Sequence, residues 1–182
     1  LTLRSISSQK QVFKGGNSVS VKHSTYNDGK IQYVYKMDAL ETQPDNQTSA
    51  NIQPKKRLSG KSSSFGGVLF GEKIIVGYIH KAAGTGSKRH THPNEQYNFV
   101  LQGTLQCDID DQTVLCPKGH CVHIPAGTEH SCMATPDEDV IFFVAKDTRH
   151  GMSGPAVDGI EDGPRMHPDA NEGQDKLSEK PI

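Results

Sequence analysis

Six of the nine histidines in this chain, His80, His90, His92, His120, His123 and His130, fall within one stretch of about fifty residues. Two of them sit one residue apart in "GTGSKRHTHPNEQYNFVLQG", immediately before a run that reads as a strand. Side chains at i and i+2 of an extended chain point to the same face. Two imidazoles converging on one side of a sheet suit a shared metal ion better than a hydrophobic core, and imidazole is the commonest protein ligand for zinc, iron, nickel and copper. The same stretch continues through Gln96 to Gly103. A second run, "GHCVHIPAGTEH", carries Gly119, Pro125, Gly127 and His130.

These histidines need a scaffold, and the chain supplies short apolar runs separated by turns. From Phe65 to Lys146 the runs are "GGVLFG", "KIIVGYIH", "QYNFVLQG", "TLQCDID", "QTVLC", "HCVHIPA", "EHSCMA" and "DVIFFVAK". Runs this short and closely spaced, rich in Val, Ile and Phe, predict an all-β sandwich or barrel over 65–147. Residues 1–40 predict an N-terminal β-hairpin extension, with alternation on both arms around an Asp28-Gly29 turn. Residues 41–64 contain no aromatic and little that is apolar, and predict a flexible loop or linker. Residues 148–182 are rich in Gly, Pro and acidic groups and predict an irregular tail that wraps the surface or is disordered.

The two histidine-bearing runs resemble the two motifs of the cupin superfamily. The first motif is Gly, five residues, His-x-His, three or four residues, Glu, six residues, Gly; here Gly84, His90, His92 and Gly103 fill it, with Gln96 in the Glu position. The second is Gly-x5-Pro-x-Gly-x2-His-x3-Asn, matched by Gly119, Pro125, Gly127 and His130, with Ala134 where Asn stands in the family. The resemblance implies a single small jelly-roll or β-barrel with one divalent transition metal per chain in its mouth. Iron(II) is favoured, with zinc, nickel or manganese as alternatives. It also implies His90, His92 and His130 as ligands and Gln96 as the fourth. Glu95 has the opposite strand parity to Gln96, although a local bulge reverses that choice. A neutral glutamine leaves the metal more electropositive than glutamate does, and so a better Lewis acid. Gly103 permits a sharp turn at a strand end, and Pro125 and Gly127 turn the chain to face His130 inward.

Other polar residues are candidates for substrate and proton handling. Lys88 and Arg89 precede the first ligand and suit a carboxylate. Tyr78 and His80 share a strand face, and Asn98 follows Gln96 at i+2 on the same side. Candidate catalytic bases are His123, Tyr78 and Glu129, beside a metal-bound hydroxide. Tyr97, Phe99 and Leu101 belong to the opposite face, as core or dimer packing.

Composition narrows the function classes. The chain has 182 residues with 33% hydrophobic content and a mean hydropathy of -0.61, enough for one domain with segments outside its core. A net charge of -1 from 20 basic and 21 acidic residues argues against nucleic acid as a partner. No apolar run approaches the roughly 20 residues that span a membrane, and "LTLRSISSQK" has no signal-type apolar segment. Cys107, Cys116, Cys121 and Cys132 form no CxxC pair and read as buried thiols of a reducing, cytoplasmic compartment rather than a disulfide framework. Three imidazoles and one oxygen ligand leave coordination positions open, which favours catalysis over a closed structural site.

The expectation is an enzyme acting on a small oxygenated molecule: a dioxygenase with iron, or an isomerase, lyase or decarboxylase with zinc, nickel or manganese. The three-histidine-plus-glutamine set is similar to that of small cupins handling ring-opened uronates. Cupin lyases acting on dimethylsulfoniopropionate carry Glu-x-Tyr where this chain has Gln96 and Asn98. The alternative class is a non-catalytic binding module for a sugar or small organic acid. A homodimer is expected by the same resemblance.

Overall fold

A computed structural model describes Val34, Tyr35 and Met37, the backbone of Ser49–Ile52, and residues 61–170. The N-terminal hairpin expected within residues 1–40 lies outside these described residues. Among the described residues, eleven strands are arranged in two antiparallel sheets. The first has the order β1 (Ser49–Ile52), β2 (Phe65–Phe70), β3 (Ile74–Lys81), β10 (Val140–Asp147), β5 (Gln96–Gln102), β8 (Cys121–Ile124). The second has the order β11 (Arg165–Met166), β4 (Thr85–Gly86), β9 (His130–Ala134), β6 (Thr104–Ile109), β7 (Gln112–Pro117). Each apolar run singled out in the sequence corresponds to one of β2, β3 and β5–β10. Among the described residues no helix is long and apolar enough to cross a membrane.

The core follows from strand alternation. Along β3, Ile75, Gly77, Ile79 and Lys81 are buried, whereas Ile74, Val76, Tyr78 and His80 face the other way. Along β10 the inward set is Val140, Phe142, Val144 and Lys146. Residues from both sheets, among them Ile79, Val100, Leu105, Ile124 and Phe142, form one continuous buried cluster. The sheets therefore pack face to face as a jelly-roll sandwich. Each large side chain of this cluster contributes about 1.5–3 kcal/mol by leaving water. Both inward sets end in a lysine at a position whose parity belongs to the core.

One segment departs from the sequence expectation, and residues 148–170 of the tail take the first of their two expected forms, wrapping the surface. Within the stretch 41–64, expected as a loop, Ser49–Ile52 form a strand paired with β2, and residues 61–64 are buried. Residue type alone did not signal this, because a polar segment satisfies its backbone on the open edge of a sheet regardless of its side chains. Of the tail, residues 148–170 run over the barrel. Met166 and Arg165 pair with Thr85 and Gly86, and Ala156 bridges His90. The Asn94 side chain clamps the start of this segment by donating to the carbonyl oxygens of Asp147 (2.9 Å) and His150 (3.3 Å). The cysteines are free thiols; Cys107, Cys116 and Cys132 are buried, with the Cys107 and Cys132 sulfurs in contact at 2.7 Å. Cys121, expected buried, is exposed because it shares the outward parity of β8 with His123.

Candidate metal centre

His90 and His130 are brought together by the backbone. Each donates its N–H to the other's carbonyl oxygen at 2.9 Å, so the chain between β4 and β5 lies against the start of β9. His92 is held by the second motif: Gly127 N–H donates to the His92 carbonyl at 2.8 Å, and Thr91 Oγ1 donates to the Gly127 carbonyl at 2.9 Å. Gly127 has φ of 77°, a left-handed conformation that a β-carbon disfavours. The result is one cluster in which the candidate ligand atoms of His90, His92 and His130 lie within 4.8 Å of one another. The His90 and His130 ring centroids are 4.3 Å apart and those of His92 and His130 are 4.8 Å apart.

The hydrogen bonds fix which nitrogen of each ring faces the centre. Nδ1 of His90, His92 and His130 lies against the carbonyl oxygens of Lys88 (2.8 Å), Asn94 (2.8 Å) and Thr128 (2.9 Å). A carbonyl only accepts, so each Nδ1 carries the proton and each Nε2 presents a lone pair. Burial, reinforced by the neighbouring His130, pushes His90 down to about 3. Burial likewise lowers His130 to about 4 and lowers His92. All three imidazoles are neutral at pH 7, the state a metal requires.

Two observations show that this donor set fits a cation. Nε2 of His130 is buried with no hydrogen-bond partner, an arrangement that costs about 1–3 kcal/mol unless something binds there. Nε2 of His92 and Oε1 of Gln96, both acceptors, lie 3.1 Å apart. Two acceptors that close repel unless a positive charge lies between them, and neighbouring ligands of one metal at about 2.1 Å have that separation. The amide orientation is set by Gln96 Nε2, which donates to Asn98 Oδ1 at 2.8 Å. Three nitrogens each about 2.1 Å from one cation lie roughly 3.0–3.4 Å apart, so the present spread of up to 4.8 Å closes by roughly 1.5 Å when a metal is bound. Lys146 is the dissonant neighbour. Its Nζ lies 3.0 Å from His92 Nε2 and donates to the Met152 carbonyl at 2.7 Å. Burial lowers its pKa to about 7, which limits the positive charge it sets against a metal.

The cluster lines one wall of a cavity of about 60 Å³, small beside the several hundred Å³ typical of small-molecule sites. Asn98 reaches it, as its parity with Gln96 requires. The remaining substrate and acid–base candidates do not. Tyr78 and His80 face outward on β3, where His80 stacks on Phe65 at 5.1 Å. His123 is exposed on β8, 2.8 Å from Glu95 and stacked on Tyr97 at 4.6 Å. Glu95 lies on this outer face as well, so of positions 95 and 96 only Gln96 faces the histidines. Glu129 pairs with Arg89 at 3.3 Å outside the cavity. Lys88 has the opposite parity to Ser87, which does line the cavity, and its Nζ is taken up by Asp158 (2.5 Å), Asp162 (3.0 Å) and the Ile160 carbonyl (2.9 Å) of the tail. Tail carboxylates thus saturate the cation expected to hold a substrate.

The sequence reading missed Lys81 and Lys146, which line the cavity in place of Lys88 and Arg89. A signal was present: each stands at the core parity of an apolar strand, in "IIVGYIHK" and "VIFFVAK", where lysine is rarely buried without a purpose.

Residues 77–146 match the family described as "Cupin domain", and this match spans both histidine motifs. The chain carries a cupin domain. Solved structures similar to it include a "cupin 2 conserved barrel domain protein" from Rhodopseudomonas palustris. That chain is 18% identical, with 56% of this chain and 73% of that one covered and a TM-score of 0.48. KdgF from Halomonas sp. is 16% identical, with 48% and 81% covered and a TM-score of 0.45. The Schizosaccharomyces pombe Cnp3 cupin domain is 20% identical with a TM-score of 0.42; the match covers 44% of this chain and 61% of that one, less than two thirds of its length. No curated protein matches the sequence. In this cupin domain the three histidines of the two motifs are positioned to bind a metal.

Proposed function

We propose that this cupin is a metal-dependent enzyme acting on a small oxygenated organic molecule, with a divalent transition metal held by His90, His92, His130 and Gln96. One observation carries the reading: three neutral imidazole Nε2 atoms and a glutamine oxygen converge on the wall of an internal cavity. When bound, such a metal polarises a substrate oxygen as a Lewis acid or, if it is iron, supports oxidation by dioxygen. An all-neutral donor set leaves the full charge of the metal on the substrate. The residues around it bind and orient. Asn98 offers an unpartnered amide N–H, and Lys146 offers an ammonium N–H from β10. Residues 152 and 153 of the tail border the cavity and restrict water.

The test is turnover before and after metal removal, screened over diketones, phenols, thiols, uronates and hydroxy acids. Chelation is expected to abolish activity and re-addition of one metal to restore it. Full activity in His130→Ala contradicts the proposal. A second reading, a metal-free binding module, draws support from Lys146, whose Nζ already satisfies His92 Nε2 at 3.0 Å. It predicts ligand affinity that is indifferent to metal. For assembly we favour a homodimer through the outer face of the six-stranded sheet, where Tyr97 and Phe99 are each 43% exposed. Light scattering that gives a monomer at micromolar concentration refutes it.

A further inference from the structure

Three lysines line the cavity, and their partners differ. Lys61 donates to the Glu161 carboxylate of the tail at 2.6 Å. Lys146 donates to the Met152 carbonyl. Lys81, only 2% exposed, makes one long hydrogen bond, to Ser62 Oγ at 3.3 Å. Among the described residues no carboxylate lies within ion-pair distance of it. An ammonium has three protons to donate, and Ser62 accepts only one of them, so most of the capacity of Lys81 has no protein acceptor among the described residues. A lysine this deep cannot extend its head to solvent, and buried lysines otherwise occur paired. Hydroxyl groups share its cavity: Ser62 donates to Ser64 Oγ at 3.0 Å, and both serines line the cavity together with Ser87.

We infer that Lys81, with the Ser62–Ser64 segment, forms an anion-binding subsite at one end of the cavity and takes a carboxylate group of a small organic acid. The register sets its place relative to the metal ligands. Lys81 pairs with Val140 and Gln96 with Lys146, at opposite ends of β10. One cavity joins them, with Cys132, two residues along β9 from His130, on its wall. The molecule that fits both ends carries an oxygen function for the metal and a carboxylate for Lys81. A single ammonium beside the Ser62 hydroxyl matches the charge of a carboxylate, with no arginine fork of the kind that recognises phosphate. The link to a substrate rests on the metal-enzyme reading above; the anion subsite itself does not.

The experiment is an NMR titration of the ¹⁵N-labelled full chain, loaded with zinc(II), using sodium acetate, acetamide and sodium chloride in parallel. It is then repeated after chelation, with metal content measured in every sample. Acetate is expected to shift the backbone amides of Ser62, Ser63, Ser64 and Lys81 saturably, and acetamide to leave them unmoved. Lys81→Met is expected to weaken acetate by at least about tenfold, the loss of one charge-assisted contact, with zinc content unchanged. Lys81→Gln serves the same purpose if the Met variant does not fold. Acetate binding that survives chelation, or occurs in a chain that takes up no zinc, upholds the subsite and leaves any failure with the metal reading. Absence of a saturable acetate shift in the wild type, equal binding of acetamide, or undiminished acetate binding without Lys81 overturns it.

Discussion

Lys81→Met is expected to make the protein more stable, which is unusual for a substitution in a β-sheet interior. Burial lowers the Lys81 ammonium from 10.5 to about 8, partly opposed by the Cys132 and Cys107 sulfurs. A displacement of that size corresponds to about 3 kcal/mol of penalty on the charged form. The hydrogen bond to Ser62 offsets about 1 kcal/mol, so replacing the ammonium by a thioether of similar length gains about 2 kcal/mol at pH 7. The pH dependence separates this cause from simple repacking. Below about 8 the native and unfolded states both hold the lysine proton, and the cost of burial is fully expressed. Between about 8 and 10.5 the unfolded chain holds the proton and the native one does not, so wild-type stability rises with pH. The advantage of the variant must shrink across that window and be gone by its upper end. Urea unfolding of both proteins at pH 7, 9 and 10.5 measures this difference. A variant less stable than wild type at pH 7, or a difference that does not change with pH, refutes the reasoning.

Three further outcomes follow from other contacts. Gln96→Glu adds a carboxylate beside His92 and gives the unpartnered Asn98 Nδ2 an acceptor; zinc affinity by competition with a chelating dye should rise by roughly tenfold or more, charge-assisted contacts being about twice as strong as neutral ones. Gly154→Ala puts a β-carbon 1.7 Å from the Thr91 carbonyl oxygen and 2.9 Å from His92 Cβ. It should cost about 1–3 kcal/mol in thermal unfolding and weaken metal binding, whereas an unchanged midpoint and affinity would mean that the tail does not brace the ligand loop. Lys88→Ala removes the tether to Asp158 and Asp162 and should speed limited proteolysis within residues 155–165 without loss of metal.

The barrel was legible because each strand carries its own alternation of apolar and polar residues, and eight apolar runs were enough to mark eight strands. The metal ligands were legible for a different reason: His90, His92 and His130 sit at fixed offsets from Gly and Pro positions that set the local backbone. What the sequence obscured was the direction of side chains near the ligands. Lys88 and Arg89 adjoin His90 in the chain, yet parity turns Lys88 to the acidic tail, and Arg89 pairs with Glu129 outside the cavity. Lys81 and Lys146 stand at opposite ends of the β3–β10 pairing, and both line the cavity because each holds the inward parity of its strand. His123 and Tyr78 read as pocket residues by proximity to the motifs, while the alternation of β8 and β3 turns them to the outer face. The short strands β1, β4 and β11 left no trace, since two to four residues held by neighbours need no apolar pattern of their own.

The central claim is that His90, His92 and His130 hold one metal ion, and metal uptake tests it most directly. Full-length protein, stripped by chelation and then offered iron(II), zinc, nickel and manganese in turn under anaerobic conditions, is desalted and assayed by plasma mass spectrometry beside His130→Ala. The account predicts close to one equivalent of at least one of these metals in the wild type and almost none in the variant, with both proteins folded by circular dichroism. A wild type that takes up none of the four, or a variant that retains the same equivalent, contradicts it.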